Sequence, residues 1–314
     1  MVAFLALVIE RLTGYPALLY DWFGHPVEWM GKLIGALEHR LNTPRGKPQW
    51  NRTKGALALL AIIAIVALMT LMLTALVRHI PYSAAIEAVL AVPLLAQKEL
   101  KRAVLRVARA LDENIMKARA AVSHLVGRDP SNLDASGVVR AAIESLAENT
   151  SDGIIAPALW LAIFGLPGIA VYKAINTADS MTGYRSARYL TYGWAAARLD
   201  DLVNLPAARL TGVLIAGAKS LTSPNAAARA LETIWRDARK HVSPNAGWPE
   251  AAMAGALDIR LGGPRIYSGQ VVDLPWIGTG RIDLDAGDIH RALRLYNQTI
   301  TLAAIIAFFL WLFV

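Results

Sequence analysis

Three short strings between residues 140 and 204 combine carboxylates, amides and cations at helical spacing. The first is Arg140-x3-Glu144-x3-Glu148-Asn149-x2-Asp152-Gly153. Arg140, Glu144 and Glu148 recur every four residues, so a helix carries them as one stripe, and Asp134 or Ser136 is suited to cap its start. An ordinary solvated ion-pair face accounts for Arg140 and Glu144 equally well. It accounts poorly for Glu148 to Gly153, because these residues abut an apolar run where unpaired carboxylates are costly. The second string runs from Tyr172 to Arg185, with Arg188 beyond. Asn176 and Asp179 lie three apart, with Lys173 one turn earlier. Hard oxygen donors at this spacing suit Mg²⁺, which keeps waters and bridges to substrate phosphates, and Lys173, Arg185 and Arg188 supply phosphate-facing charge. The alternative is a polar connector between helices. The third string is Arg198-Leu199-Asp200-Asp201-Leu202-Val203-Asn204. Asp200 and Asn204 share a helix face, and adjacent aspartates repel unless a cation or arginine stands between them.

A fourth string, His241-Val242-Ser243-Pro244-Asn245, lies well downstream. A Ser-Pro-Asn turn can offer backbone N–H groups and a side-chain amide to an anion, and His241 could move a proton. For His241, as for His25 near the start of the chain, a structural role competes with the chemical one. Neither histidine sits at zinc spacing. The chain has no P-loop, no dinucleotide-binding glycine fingerprint, no nucleophile elbow and no H-E-x2-H helix. It has no cysteine, which excludes thiolate nucleophiles, disulfides and iron–sulfur ligation.

These strings need elements to hold them, and the composition says what kind. Hydrophobic residues make up 55% of the 314 and charged residues 18%, a more apolar balance than soluble domains show. The segment Gly55 to Val77 carries no charge and is long enough, at about 1.5 Å per residue, for a hydrocarbon core of about 30 Å. Met1–Tyr20, Tyr82–Gln97, Ile154–Ile175 and Thr299–Val314 are weaker spanning candidates. Leu202–Ala218 holds one arginine and could span or lie in the interface. No cleavable signal peptide is evident. The net charge of +8 is read as a positive-inside excess rather than a nucleic-acid surface, because the basic residues flank apolar runs and few aromatics are interleaved with them. Lys98–Arg119 reads as one amphipathic helix.

The fold class is therefore all-α, a polytopic membrane bundle of about four to six membrane segments, forming a single integral membrane domain over 1–314. Residues 219–298 form a polar segment of helices followed by ordered loops over the membrane surface. Gly165-Leu166-Pro167-Gly168 breaks the Ile154–Ile175 run, since Pro removes a donor and Gly lowers helical preference. Two half-helices meeting there predict a re-entrant hairpin that returns Ile175 to the side where Ile154 began.

Taken together, several of these strings resemble the adenosylcobinamide-phosphate synthase family, the membrane amide ligases of cobalamin biosynthesis. They are Val126-Gly127-Arg128-Asp129, the block from Glu144 to Pro157, Tyr172 to Tyr184, and Ala197-Arg198-Leu199-Asp200-Asp201. His241-x-Ser243-Pro244-Asn245 and Arg260-Leu261-Gly262-Gly263 complete the set. The match runs in order from about residue 20 to about 295. It implies a bacterial inner-membrane enzyme that joins adenosylcobyric acid to (R)-1-aminopropan-2-ol O-phosphate, or to aminopropanol, using ATP and Mg²⁺. Other cobalamin-pathway enzymes are implied as partners. The resemblance marks these positions, and residue type suggests their roles: Glu148, Asp152, Asp179 and His241 are catalytic candidates, and Asp152, Asp179, Asp200 and Asp201 metal candidates. Lys173, Arg185, Arg188 and Arg198 would contact phosphates, and Asn149, Asn176, Asn204 and Asn245 would orient substrates. Members often carry Gly-Asp-Pro where this chain has Gly14-Tyr15-Pro16, so an aspartate ligand there is either absent or replaced by Asp21. Two other readings of the same residues are a membrane Mg²⁺-dependent prenyl- or phospho-alcohol transferase and a non-enzymatic anion-binding membrane protein. The spacing E-N-x2-D-G and N-x2-D lacks the paired D-x2-D aspartates of the former.

Overall fold

The computed structural model describes residues 1–127, 129–267 and 270–313; Arg128 of the Val126–Asp129 motif and Gly269 of the glycine-rich tail lie outside them. The chain is almost wholly helical, as the apolar periodicity predicts. Thirteen α-helices run in order among the described residues: α1 (Val2–Thr13), α2 (Ala17–Phe23), α3 (Pro26–Leu41), α4 (Pro48–Val77), α5 (Ser83–Ala91), α6 (Gln97–Glu113) and α7 (Ile115–Ser123), then α8 (Ala135–Thr150), α9 (Ala156–Thr182), α10 (Trp194–Ser220), α11 (Pro224–Asp237), α12 (Gly247–Leu257) and α13 (Ala286–Phe313). A π-helical turn, Ser151–Ile155, joins α8 to α9. The tail adds what periodicity did not predict, two small antiparallel pairs: β1 (Leu261–Gly262) with β4 (Trp276–Ile277), and β2 (Arg265–Tyr267) with β3 (Gln270–Val272).

The chain divides into two compact units, each assembled from separated stretches. The first comprises Met1–Ala96, Ala156–Asn204 and Ala307–Val314, and the second Gln97–Ile155 and Leu205–Ile306. In the first, α4 packs along α9, and α3 packs against both. Its core includes Leu7, Ile34, Ile62, Leu161 and Ile169. In the second, α11 lies against α12, and α8 is surrounded by α6, α7 and α12. Its core includes Val104, Val122, Val139, Ile143, Met253 and Ile289. α8 is buried along nearly its whole length, so Arg140 and Glu144 are not on a solvated face.

Among the described residues three helical stretches are, by length and composition, long and apolar enough to cross a membrane: Pro48–Val77, Ala135–Thr182 (broken at Gly165) and Ala286–Phe313. A fourth arises if the pair Val2–Thr13 and Leu18–Leu41, bent by 97°, counts as one. The chain is a membrane protein on this ground. Tyr82–Gln97 does not qualify, because the helix there ends at Ala91 and Pro93 turns the chain into a short 3₁₀ segment. α10 is long enough, but Arg198, Asp200, Asp201 and Arg209 leave it short of the apolarity a span needs. The expected helix over Lys98–Arg119 is two helices, because the Asn114 side chain accepts from the Lys117 N–H and caps a new start at Ile115.

The break at 165–168 takes a definite form. Gly165 has φ 65° and ψ −156°, outside any helix, a conformation that favours glycine. A Cβ on Gly168 would fall on the backbone carbonyl of Trp160 and lie 2.7 Å from the Phe164 Cβ. In a straight helix residues eight apart are separated by about 12 Å, so the chain turns back on itself here.

Candidate functional site

In the first unit, the second half of α9 and the first half of α10 bring the second and third strings together. The Asn176 amide donates to Asp200 Oδ1 at 3.2 Å, and the Asn204 amide donates to Asp200 Oδ2 at 3.0 Å. Tyr172 Oη, fully buried, donates to the Asn204 Oδ1 at 2.8 Å. This chain of bonds fixes Asn204, which has no exposed surface, with its oxygen toward Tyr172 and its nitrogen toward Asp200. Asn176 therefore serves Asp200 across the helix pair rather than its own-helix neighbour Asp179.

Asp179 stands close enough to feel the charges of both Asp200 and Asp201. Its carboxylate lies over Gly183, where a Cβ would fall on its Oδ1, and the Gly183 N–H donates to its backbone carbonyl at 2.6 Å. Burial pushes the Asp200 carboxyl above the usual carboxylate range, although both amides and the Lys173 ammonium favour its charged form. Burial likewise raises Asp201, opposed by the nearby Arg198 and Arg185. The first unit thus holds three mutually repelling carboxylates, with Lys173, Arg185 and Arg198 around them to answer their charge.

Arg188 has different work. It clamps Glu38 of α3 in two-point fashion, Nε to Oε1 at 3.0 Å and Nη2 to Oε2 at 2.8 Å, while the Asn42 amide donates to Glu38 Oε1 at 2.7 Å. Asn42 also donates to the Arg188 carbonyl, and Asn51 donates to Thr191 Oγ1. A Cβ on Gly55 would fall on the Tyr192 carbonyl, and one on Gly193 on the Thr182 carbonyl. The segment 183–193 is therefore laid backbone to backbone over α4 and the end of α9. Arg188 and Glu38 fix its path, and that pair engages the Nε and one Nη of the Arg188 guanidinium. Sequence reading missed Glu38, Asn42 and Asn51. His25 is a helix cap whose Nδ1 accepts from the Val27 N–H at 3.2 Å, its ring packs edge-on against Tyr15, and it senses the charge of Lys173.

The second unit holds the first and fourth strings. Asp134, rather than Ser136, caps α8, accepting from the Gly137 N–H at 2.7 Å. Ser136 instead accepts from the Leu284 N–H and donates to the Ile282 carbonyl. Arg140 donates to the Ile282 carbonyl at 2.7 Å and lies 5.0 Å over the Trp276 ring. Glu144, buried, accepts from the Gly262 N–H at 2.7 Å. These residues fasten the tail to α8. Glu148, one turn on, is exposed, and Asn149 donates back to the Ser145 carbonyl. Asp152 sits in the π turn, a geometry that recurs at functional sites. Beside it the buried Ser151 Oγ has no hydrogen-bond partner among the described residues.

The His241–Asn245 turn is tied up internally. His241 Nδ1 accepts from the Ser243 N–H at 3.0 Å, and its Nε2 faces the buried Glu250 at 3.6 Å. The N–H groups of Asn245 and Ala246 both donate to Ser243 Oγ, so the backbone donors expected to meet an anion are already used. Asn245 Oδ1 accepts from Arg209 at 3.0 Å, whose guanidinium lies 4.6 Å over Trp248. Nearby, burial disfavours the Asp237 charge, yet hydrogen bonds from Arg236, Lys240 and the Gly278 N–H hold its carboxyl well below the usual range. Among the described residues no three histidine or acidic side chains stand close enough to close around a metal on their own.

Comparison with known proteins finds no solved structure that matches. A curated relative from Sinorhizobium fredii, named cobalamin biosynthesis protein CobD, is 49% identical over 310 residues, covering 97% of this chain and 94% of the relative. The protein of the same name from Rhodobacter capsulatus is 48% identical over 294 residues, covering 93% of this chain and 91% of its own. That from Brucella suis is 46% identical over 306 residues, covering 96% and 94%. The model of the CobD/Cbib protein family matches residues 3–296, and the chain belongs to that family.

Proposed function

We propose that this protein is a membrane amide ligase of cobalamin biosynthesis, seated in the bacterial inner membrane. In this reading it joins the free propionate of adenosylcobyric acid to (R)-1-aminopropan-2-ol O-phosphate, or to aminopropanol, giving adenosylcobinamide phosphate or cobinamide. The observation that carries the reading is the family match over residues 3–296, together with relatives named for cobalamin biosynthesis that are aligned over nearly their whole length. A carboxylate is a poor electrophile, so amide formation draws on an acyl phosphate or adenylate made from ATP. The site then has to hold phosphate, amine and propionate in line, and positioning supplies much of the rate.

The residues present fit that task. Asp179, Asp200 and Asp201 concentrate negative charge that attracts the amine in its ammonium form, and Lys173, Arg185 and Arg198 answer phosphate charge. Asp200 is held in register by two amides, so it acts as a fixed acceptor. The donor set also fits Mg²⁺, which is commonly bound by one or two carboxylates with substrate phosphates completing the shell. Asp179 and Asp201 would hold it, and it would neutralise phosphate charge during transfer. In the second unit, Asp152 and Glu148 at the end of α8 are the remaining acidic candidates, with Asn149 beside them.

The test is an assay of purified protein in detergent with adenosylcobyric acid, aminopropanol phosphate, ATP and Mg²⁺, read by product mass. The amide product is expected, and Asp179→Asn and Asp152→Asn should abolish it while the protein stays folded. Absence of amide from active preparations, with transfer from a prenyl diphosphate instead, overturns the reaction. Full activity in both variants overturns the site.

A further inference from the structure

We propose that the cavity lined by α1, α3, α4, α5 and α9 in the first unit binds the acyl chain of a bilayer phospholipid. The cavity has a volume of about 610 Å³ and an almost wholly apolar lining, within the range of about 300–1,000 Å³ of sites that enclose a small ligand. Its floor is Leu166 and Ala170, 2% and 1% exposed, on the second half of the α9 hairpin. Its outer wall is Ile65, Met69 and Leu73 of α4, which are 41%, 65% and 37% exposed.

These three side chains face two ways. They line the cavity and also belong to the outward face of a helix long and apolar enough to span the membrane, a face that continues through Leu57, Leu60, Leu68, Leu71 and Leu76. The cavity is therefore open along a surface whose solvent is hydrocarbon, and its occupant comes from that solvent. Water is excluded as a filling, because the lining offers too few polar partners to hold it. An empty space of this size would forfeit dispersion contacts around its whole lining. A second copy of the chain would have to insert a helix about 10 Å wide, whereas a single methylene chain threads such a space without moving a wall. The chain would rest on Leu166 and Ala170, just before Lys173 and Asp179, so it would brace the half-helix that carries the carboxylates.

The experiment uses the full-length protein reconstituted in phosphatidylethanolamine–phosphatidylglycerol vesicles whose acyl chains carry bromine, a contact quencher of tryptophan. Leu166→Trp places a reporter on the floor, out of reach of lipid at the outer surface. The added fluorescence should lose most of its intensity in brominated vesicles, and a second change, Thr70→Phe, which fills the cavity from α4, should restore it. Far-UV circular dichroism confirms that each variant is folded. Independently, native mass spectrometry of the unmodified protein after exchange into short-chain detergent should retain a phospholipid. A folded reporter variant that is not quenched, quenching that Thr70→Phe leaves unchanged, or an unmodified protein that retains no phospholipid overturns the proposal.

Discussion

At position 183 a Cβ would fall on the Asp179 carboxylate, so Gly183→Ala must displace that carboxylate from its present place near Asp200 and Asp201. Misplacing a reacting or ligating group by about 1 Å costs on the order of 100-fold, and amide formation should fall by that order while thermal stability in detergent changes little. If Gly183 matters only for the loop path, stability will drop and activity per folded molecule will hold. Asp237 has the opposite role. Its carboxyl is kept ionised by Arg236, Lys240 and the Gly278 N–H, so its folded pKa lies below the unfolded value of about 3.9. Its contribution to stability is therefore full above about pH 4 and is lost as pH falls through the lower folded value. Removing its charge with Asp237→Asn should cost about 2–3 kcal/mol at neutral pH, a figure reduced because Arg236 and Lys240 are half-exposed. Melting curves of the wild type and Asp237→Asn between pH 2 and 7 check both statements, since the wild type should lose stability only below about pH 4 and the variant should lack that loss. Residue types beside apolar runs were enough to find Asn176, Asp179, Asp200 and Asn204. They could not find Glu38 as the partner of Arg188, because the two are far apart in the chain and only tertiary packing joins them. Nor could they tell that Ser243 consumes the N–H groups of its own turn.

α9 is the element that most decides what the first unit can do. Its first half, from Ala156 to the break at Gly165, is too short to cross a hydrocarbon core of about 30 Å at about 1.5 Å per residue. Ile163 and Phe164 at the turn are exposed to whatever surrounds the chain. The lack of native cysteine makes single-cysteine labelling clean. Ser180→Cys should react with a membrane-impermeant maleimide, while Phe164→Cys should be protected from both sides of the bilayer. Reaction of both would deny the hairpin its place in lipid. A side chain at Gly168 would collide with Trp160 and Phe164, so Gly168→Leu should leave little folded protein on size-exclusion chromatography. The break at 165–168 was legible because Pro and Gly punctuate an otherwise apolar run. The π turn at Ser151–Ile155 was not, since nothing in Ser-Asp-Gly-Ile-Ile distinguishes it from a continued α-helix. The small strands of the tail were hidden for a different reason. Their pairing depends on Gly262, Gly263 and Gly278 at φ 72°, 79° and 90°, and glycine marks many conformations besides that one.

For the molecule as a whole, the basic residues Arg45, Lys47, Arg52 and Lys54 precede or open α4, so the positive-inside rule puts its start on the cytoplasmic side. A reporter fused at residue 46 should read as cytoplasmic, and an external reading would reverse the orientation. Membrane residence was plain from composition alone. The division into two units was not, because each is gathered from stretches that the sequence interleaves. That interleaving bears on how the protein is made. Domains commonly fold in order as they leave the ribosome, but here the first unit draws on residues 156–204 and 307–314, and the second on 205–306. Neither unit has all its parts until synthesis has passed residue 306. Nascent α1 to α5 must therefore wait, partly packed, in the care of the insertion machinery, and a chain stopped early would leave both units incomplete.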